Sequence, residues 1–187
     1  PGPSARARAD GAPPAIRLRS RAILPAADPA AGLALMERAL AGLKSSPAAG
    51  PARPAHAIVQ LAALPDAAAR DALRSAGLEL EGYLSGGAFL AAVRPGARAS
   101  ELARRGVTWL GPLTPADKLA PRLAALVESG KGPAGRAPAA ADFPAHARLA
   151  GGRVALYGEF HRAVTLAAGA AEVAQAAAGE AAGRVES

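Results

Sequence analysis

Four short apolar runs between residues 56 and 113 dominate the hydrophobic pattern of this chain. They read HAIVQL, LELEGYL, AFLAAV and VTWLGPL. Apolar residues at helical spacing separate the first run from the second and the third from the fourth. We predict strands for the runs and helices for the two intervals. The resulting order, βαββαβ, is typical of the ferredoxin-like sandwich, an α+β fold.

Turn and cap residues support the boundaries of these elements. Pro65 and Asp66 precede the first helix, as expected of a helix start, and Gly77 follows it where a left-handed C-cap is common. Apolar and polar residues alternate over 78–83, which is the pattern of a half-exposed strand. The Ser-Gly-Gly sequence at 85–87 then predicts the turn of a hairpin.

Residues 1–55 predict a leader that contains one helix. The low-complexity Pro/Ala/Arg/Gly sequence of 1–15 indicates disorder, because it contains too little apolar surface to offset the entropy of ordering. Residues 16–24 predict an extended segment that adds to a sheet edge or lies along a partner. Asp28 is a suitable N-cap, and the apolar face of the helix after it is assigned to the core rather than to a partner. That face consists of Leu33, Met36, Leu40 and Leu43.

Residues 114–152 predict short helical pieces and a linker. We expect a helical turn near 116–119, a second helix through Leu123 and Leu126, and a flexible Gly/Pro/Ala linker at 132–142. A similar Ser/Pro/Gly linker is expected between Lys44 and Ala55.

Residues 153–187 predict half of a second module. Val154, Leu156 and Phe160 alternate as in a strand, an alanine-rich helix follows over 166–178, and a short strand is expected around 184–185. This βαβ segment would leave an unpaired sheet edge. We therefore expect the natural polypeptide to continue past Ser187, or another chain to complete the sheet.

Composition limits the size and chemistry of the fold. The chain has 187 residues, and 51% of them are apolar. Aromatic residues make up only 3% of the chain, and many of the other apolar residues are alanine. A thin core is the expected result, since alanine buries little area. The absence of cysteine excludes disulfide bridges and thiolate metal sites.

The net charge of +7 does not indicate nucleic-acid binding. Only three of the 22 basic residues are lysine, so 19 are arginine, and they accompany abundant alanine, glycine and proline. All four residue types have GC-rich codons, so the bias indicates a GC-rich genome rather than phosphate contacts. RNA-binding sheets of this class also need paired aromatic and basic residues that are missing here. We predict no nucleic-acid partner, and we also predict no membrane span.

No arrangement of residues in the sequence predicts catalysis or a cofactor. His56, His146 and His161 are far apart, and each is interpreted as a loop or strand-edge residue without a neighbouring acid. Glu159 and His161 come closest to a ligand pair, but two donors are too few for a metal site. The Gly-x-Ser-x-Gly pattern, the Walker loop and the dinucleotide fingerprint are all missing. We therefore predict no catalytic residues, no metal and no cofactor.

Three stretches resemble the region that precedes the catalytic domain in a group of bacterial subtilisin-family serine proteases. They are HAIVQLAALP, AGLELEGYLSGGAFLAAV and GVTWLGPLTPADKLAP, and the upstream IRLRSRAILP is also similar. The resemblance covers most of residues 16–160, with Ser85 in place of the usual proline. The matching positions are Val59, Gln60, Gly77, Tyr83, Leu84, Phe89, Val107, Trp109, Gly111, Pro112, Lys118 and Leu119.

The resemblance implies a prodomain-like role. Such prodomains have the ferredoxin-like fold, act as folding templates for the protease domain, and then occupy its substrate cleft as inhibitors. The implied partner is a subtilisin-type protease domain, in the same chain or another. The implied location is secreted or in the bacterial cell envelope. The chain opens on proline and shows no signal sequence, and we expect its numbering to start after a removed signal peptide or at a cloning boundary.

The family's catalytic motifs are missing from the sequence, so this chain is expected not to cleave peptides itself. Those motifs are Asp-Thr/Ser-Gly, His-Gly-Thr-His and Gly-Thr-Ser-x-Pro. The resemblance implies partner contacts on the sheet and the turn after it, although Phe89 and Trp109 are equally well interpreted as core residues. The predicted contacts are Tyr83, Leu84, Phe89, Trp109, Lys118 and Leu119.

Two alternatives belong to other classes of protein. One is a stand-alone interaction or regulatory module, in which two copies form a homo-oligomer and complete the truncated second sheet. The other is a small enzyme of the ferredoxin-like type, which the lack of clustered Arg, Asn or His disfavours.

Overall fold

The structure is a computed structural model, and it describes residues 13–44, 54–130, 139–162 and 164–183. The chain divides into two compact units, Pro1–Glu128 and Ser129–Ser187. The predicted disorder of 1–12, most of both predicted linkers and the predicted strand at 184–185 lie outside the described residues. The division of the chain into four sequence segments stays a prediction.

A four-stranded antiparallel sheet forms the centre of the first unit. Its strands are β3 (Ala55–Leu61), β4 (Leu78–Tyr83), β5 (Ala88–Val93) and β6 (Val107–Pro112), in the spatial order β4-β5-β3-β6. Helix α2 (Ala67–Ser75) connects β3 to β4, and α3 (Ala99–Arg104) connects β5 to β6. The six elements predicted for residues 56–113 are therefore present in the predicted order, and the α+β class is confirmed.

The sheet has a helical face and an opposite face, and both carry buried side chains. Val59 of β3 and Phe89 of β5 belong to the main core on the helical face, together with Leu73 of α2 and Leu102 of α3. Ile58 lies between Ala57 and Val59 in β3 and belongs to the second core on the opposite face. Because both faces of β3 are covered, residues 57–61 read as a continuous apolar run apart from Gln60.

Helix α1 (Pro29–Lys44) lies on the helical face and packs against β6 and α3. The carboxylate of Asp28 accepts hydrogen bonds from the backbone N–H groups of Ala30 and Ala31, as predicted for an N-cap. Met36, Leu40 and Leu43 are buried in the main core. The assignment of this apolar face to the core is confirmed.

The segment before α1 forms a small hairpin of its own. Its strands, β1 (Ile16–Arg17) and β2 (Ala22–Ile23), pair with each other in antiparallel register, with Ile16 opposite Ile23. Ile16 is completely buried against Ile58 and Ala88. The expectation that 16–24 adds to a sheet edge is therefore wrong, because burial of Ile16 on the opposite face places the hairpin over the sheet.

The β4–β5 turn fits closely under the segment that leads into this hairpin. Gly86 and Gly87 have positive φ angles of 61° and 75°, a conformation that glycine adopts without strain. A Cβ atom on Gly86 would lie 2.6 Å from the carbonyl oxygen of Ala15. Glycine at 86 is therefore needed for both the conformation of the turn and the space under residue 15.

The chain after the sheet forms α4 (Pro115–Lys118) and α5 (Pro121–Gly130), as predicted. The described part of the second unit contains three short 3₁₀ turns, Ala140–Asp142, Ala145–Ala147 and Ala150–Gly152. The third turn lies between Arg148 and Val154, which form an isolated antiparallel bridge. Helix α6 (Leu166–Gly183) confirms the predicted alanine-rich helix.

The predicted strand through Val154, Leu156 and Phe160 is wrong. Of these three residues only Val154 pairs, in an isolated bridge with Arg148, and Leu156 is largely exposed. Alternation of apolar residues is not enough for a strand when no neighbouring strand completes the hydrogen bonds. The predicted half of a second module at residues 153–187 therefore lacks its first strand.

Candidate functional site

The structure places Tyr83 and Phe89, two of the predicted contact residues, side by side on the helical face. They are direct partners in the β4–β5 register, and their ring centroids lie 5.3 Å apart in an edge-to-face arrangement. Phe89 is buried in the main core, and the guanidinium carbon of Arg70 lies 5.5 Å from its ring centroid. Tyr83 is 58% exposed. Of this pair, Tyr83 alone offers a large accessible surface.

Leu84 and Trp109 lie on the opposite face, packed against the second core under the N-terminal hairpin. The indole ring of Trp109 covers Gly111, where a Cβ atom would overlap the ring. Trp109 is therefore partly a core residue, held flat against the sheet by the glycine two positions further along the strand.

Lys118 and Leu119 belong to the end of α4, which is tied to the N-terminal hairpin through Asp117. The Asp117 carboxylate accepts hydrogen bonds from Ser20 Oγ at 2.6 Å, from the Arg21 guanidinium, and from both the backbone N–H and the hydroxyl of Thr114. Its side chain is only 1% exposed. Burial alone would raise the pKa of Asp117, but the hydrogen bonds from Arg21, Ser20 and Thr114 outweigh it and hold the pKa well below its usual range.

The contact between His56 and Glu81 was not predicted from the sequence. His56 lies in the central strand β3, so its interpretation as a loop or strand-edge residue is wrong. Its Nε2 atom is 3.5 Å from Oε1 of Glu81 in β4, and the two side chains are 12% and 6% exposed. Burial and, second, the positive charge of Lys118 lower the pKa of His56.

A bulge in β4 explains why Glu81 is the acid that approaches His56. The register shifts between Leu80, which pairs with Ala91, and Gly82, which pairs with Leu90. Glu81 is the extra residue at that point, and bulges of this kind redirect a side chain.

A cleft of about 590 Å³ opens at the end of the sheet where β3 ends and β6 begins. Its walls come from the N-terminal segment, α1, the β3–α2 loop, the β4–β5 turn and the start of β6. Leu64 and Tyr83 are its exposed apolar residues, at 72% and 58%. We define this cleft by Pro14, Met36, Gln60, Leu64, Tyr83 and Val107.

Gln60 lines the cleft and was not predicted as a functional residue. It is 1% exposed and is the buried polar residue of the described core. Its Nε2 group donates hydrogen bonds to the carbonyl oxygens of Pro14 and Gly86, both at 2.7 Å. In the sequence, the position of Gln60 as a polar residue within an otherwise apolar strand indicated that it has a special role.

Comparison with known proteins assigns the first unit to a family. A family model described as "Domain of unknown function (DUF8729)" matches residues 17–114, which is more than half of the chain. The chain therefore belongs to the DUF8729 family. The matched range includes α1 and all four strands of the larger sheet. No curated protein and no solved structure matches the chain.

In the part of the chain that the structure describes, no helix combines the length and the apolar character that crossing a bilayer requires.

Proposed function

We propose that this chain is a non-catalytic, prodomain-like region of a subtilisin-type serine endopeptidase, acting as folding chaperone and inhibitor of the protease domain. The observation that carries the proposal is the strand order β4-β5-β3-β6, with α2 and α3 packed on one face. We interpret this βαββαβ arrangement as a ferredoxin-like sandwich, the fold that the resemblance to subtilase prodomains implies.

The accessible surface supports a docking role for part of the predicted contact set. Tyr83 is exposed at the end of β4, and Lys118 is exposed at the end of α4. Trp109 and Leu119 are half-buried, so they contribute ring edges or chain ends rather than whole side chains. The proposed partner is a protease domain in the same or another chain, and the proposed location is the cell envelope or the exterior.

The experiment is inhibition of a purified subtilisin-type protease by the whole chain, with circular dichroism recorded before and after mixing. Slow, tight inhibition supports the proposal. Tyr83→Ser is expected to weaken inhibition, because it removes the largest exposed contact on the sheet. Tyr157→Ser is the matched control, since Tyr157 is a nearly fully exposed tyrosine of the second unit. Equal inhibition by wild type, Tyr83→Ser and Tyr157→Ser would remove Tyr83 from the interface, and no inhibition at all would overturn the proposal.

One observation favours a second function, that of a stand-alone interaction or regulatory module. The N-terminal hairpin covers part of the opposite face, where Ile16 is fully buried against Ile58 and Ala88. A prodomain that docks through this sheet face would have to leave it free. Native mass spectrometry separates the two functions: a regulatory module is expected as a homodimer, whereas a prodomain is expected as a monomer that forms a one-to-one complex with the protease.

A further inference from the structure

The cleft has the size and the lining of a site for an uncharged small molecule. Its volume of about 590 Å³ falls in the range of ordinary ligand pockets. None of the described residues that line it is Asp, Glu, Lys, Arg or His. A charged ligand would lose its hydration there without gaining a counter-charge, so the lining selects neutral molecules.

Gln60 supplies an unused hydrogen-bond acceptor at this site. Its amide orientation is fixed because Nε2 donates to two carbonyl oxygens, those of Pro14 and Gly86, and a carbonyl can only accept. Oε1 therefore points away from both, and in the described part of the chain it has no hydrogen-bond partner. A buried acceptor without a partner is unfavourable. Gln60 is a lining residue of the cleft, so a bound molecule whose donor group displaces part of the wall would supply the missing partner of Oε1.

A second polar side chain, that of Thr108, also lines the cleft. The hydroxyl of Thr108 lies in the lining and donates to the backbone oxygen of Gln60 at 3.2 Å. The remaining oxygen lone pairs of Thr108 are acceptors as well. Gln60 and Thr108 thus both offer uncharged acceptor atoms in the described lining of the cleft.

We propose that the cleft binds a neutral, largely apolar small molecule with one hydrogen-bond donor, and that Gln60 Oε1 accepts that donor. The apolar body contacts Leu33, Met36 and Val107, and the exposed Leu64 and Tyr83 stand at the mouth. This activity is separate from recognition of a protease, and its test contains no protease.

The probe is N-phenyl-1-naphthylamine, a neutral aromatic amine with a single N–H donor whose fluorescence rises in apolar surroundings. Titration of the whole chain is expected to give saturable one-to-one binding. The N-methylated probe lacks the donor and is expected to bind about fivefold to tenfold more weakly, the usual effect of one lost hydrogen bond. Anilinonaphthalene sulfonate, which adds a negative charge to a similar body, is expected to bind more weakly still.

Ala63→Trp tests the location, because Ala63 is an exposed lining residue whose enlargement fills the cleft without removing a contact. It is expected to weaken probe binding at least about tenfold, through loss of buried apolar area. Ala68→Trp is the matched control, an exposed alanine of α2 away from the lining, and it is expected to leave binding within about twofold.

Gln60→Met tests the acceptor, and it is expected to bind both naphthylamine probes equally. Unchanged binding of N-phenyl-1-naphthylamine by Ala63→Trp would overturn the proposed location. Equal affinity of the two naphthylamines for the wild-type chain would overturn the role of Gln60, even if Gln60→Met failed to fold. Absence of saturable binding to the wild-type chain would overturn the proposal as a whole.

Discussion

Arg21 and Asp117 stand 96 residues apart in the chain and form a two-bond ion pair, with Nε 2.9 Å from Oδ1 and Nη2 2.8 Å from Oδ2. Ser20 donates to the same carboxylate. This contact connects the loop of the N-terminal hairpin, near the start of the segment matched by the family model, to α4, which directly follows the end of that segment. The hairpin is therefore held to the unit by charge as well as by the burial of Ile16.

Replacement of Asp117 by Asn is expected to lower the free energy of unfolding by about 2 kcal/mol, because charge-assisted hydrogen bonds to a buried carboxylate are lost. Urea denaturation followed by circular dichroism measures the loss. Asp71→Asn is the control, since Asp71 pairs with Arg74 on an exposed helix surface. A loss no larger than that of the control would contradict the anchoring role.

The Asp117→Asn variant also tests how the free energy of unfolding depends on pH. Because the folded state holds the pKa of Asp117 below the ordinary value of 3.8, its stabilising effect is present above that pH and is lost as the pH falls below it. Below about pH 4, the free energy of unfolding is expected to decrease less steeply with falling pH in Asp117→Asn than in the wild type. Urea denaturation at several acidic pH values measures this slope.

His56 is expected to make the fold sensitive to mild acid. Burial lowers its pKa from the ordinary 6.5, so the unfolded chain takes up a proton first as the pH falls. The stabilisation of the folded state that depends on neutral His56 is therefore present above about pH 6.5 and declines below it. The positive charge of Lys118 adds to the effect of burial, and Glu81 is the acid whose Oε1 lies 3.5 Å from Nε2 of His56.

His56→Gln is expected to flatten the stability profile between pH 7 and pH 5, as measured by thermal unfolding across that range. His146→Gln, at an exposed position of the second unit, is expected to leave the profile as it is. If the wild type and His56→Gln showed parallel profiles, the proton uptake would have to come from another group.

Gly86→Ala is expected to destabilise the first unit by at least about 2 kcal/mol. The residue would adopt an unfavourable positive φ, which costs about 1–2 kcal/mol, and its Cβ would meet the Ala15 carbonyl oxygen. Gly82→Ala is the matched control in the neighbouring strand, where a Cβ would meet nothing within 4 Å. Chemical denaturation measures the free energy of unfolding of the two variants. Equal values would show that the segment before the hairpin moves away from residue 86 at little energetic cost.

Leu40→Ala is expected to lower the free energy of unfolding by about 3 kcal/mol, the usual cost of a large truncation in a core. Leu40 is buried between α1 and the sheet, whereas Leu35 lies on the exposed side of the same helix. Leu35→Ala is expected to cost less than about 1 kcal/mol. Similar losses for both variants in equilibrium unfolding would mean that α1 does not pack as the structure has it.

The elements of residues 56–113 follow from local patterns, because caps, turns and apolar periodicity all indicate the same boundaries. Asp66 illustrates this: its carboxylate accepts from the backbone N–H of Ala69 at the predicted helix start. The apolar face of α1 was predictable for the same reason, since Met36, Leu40 and Leu43 recur at helical spacing.

The contact of His56 with Glu81 depends on register, which the sequence pattern leaves open. Glu79 and Glu81 look equivalent in the alternation of 78–83, and only the bulge beside Leu80 distinguishes them. The orphan acceptor of Gln60 likewise depends on where Pro14 and Gly86 meet in space. In the second unit, alternation at Val154 and Leu156 indicated a strand, but strand formation requires a partner that local sequence does not specify.

The close approach of α1 to β6 has a consequence for how other chains can associate with this one. Gly32 of the helix would place a Cβ only 3.4 Å from the backbone oxygen of Thr108, so the helix lies against the main chain of that outer strand. At the other outer strand, β4, the bulge and the exposed acidic side chain of Glu79 interrupt a regular edge. Both borders of the sheet thus carry features that discourage edge-to-edge aggregation, and a partner has to recognise side chains rather than extend the sheet by adding a strand.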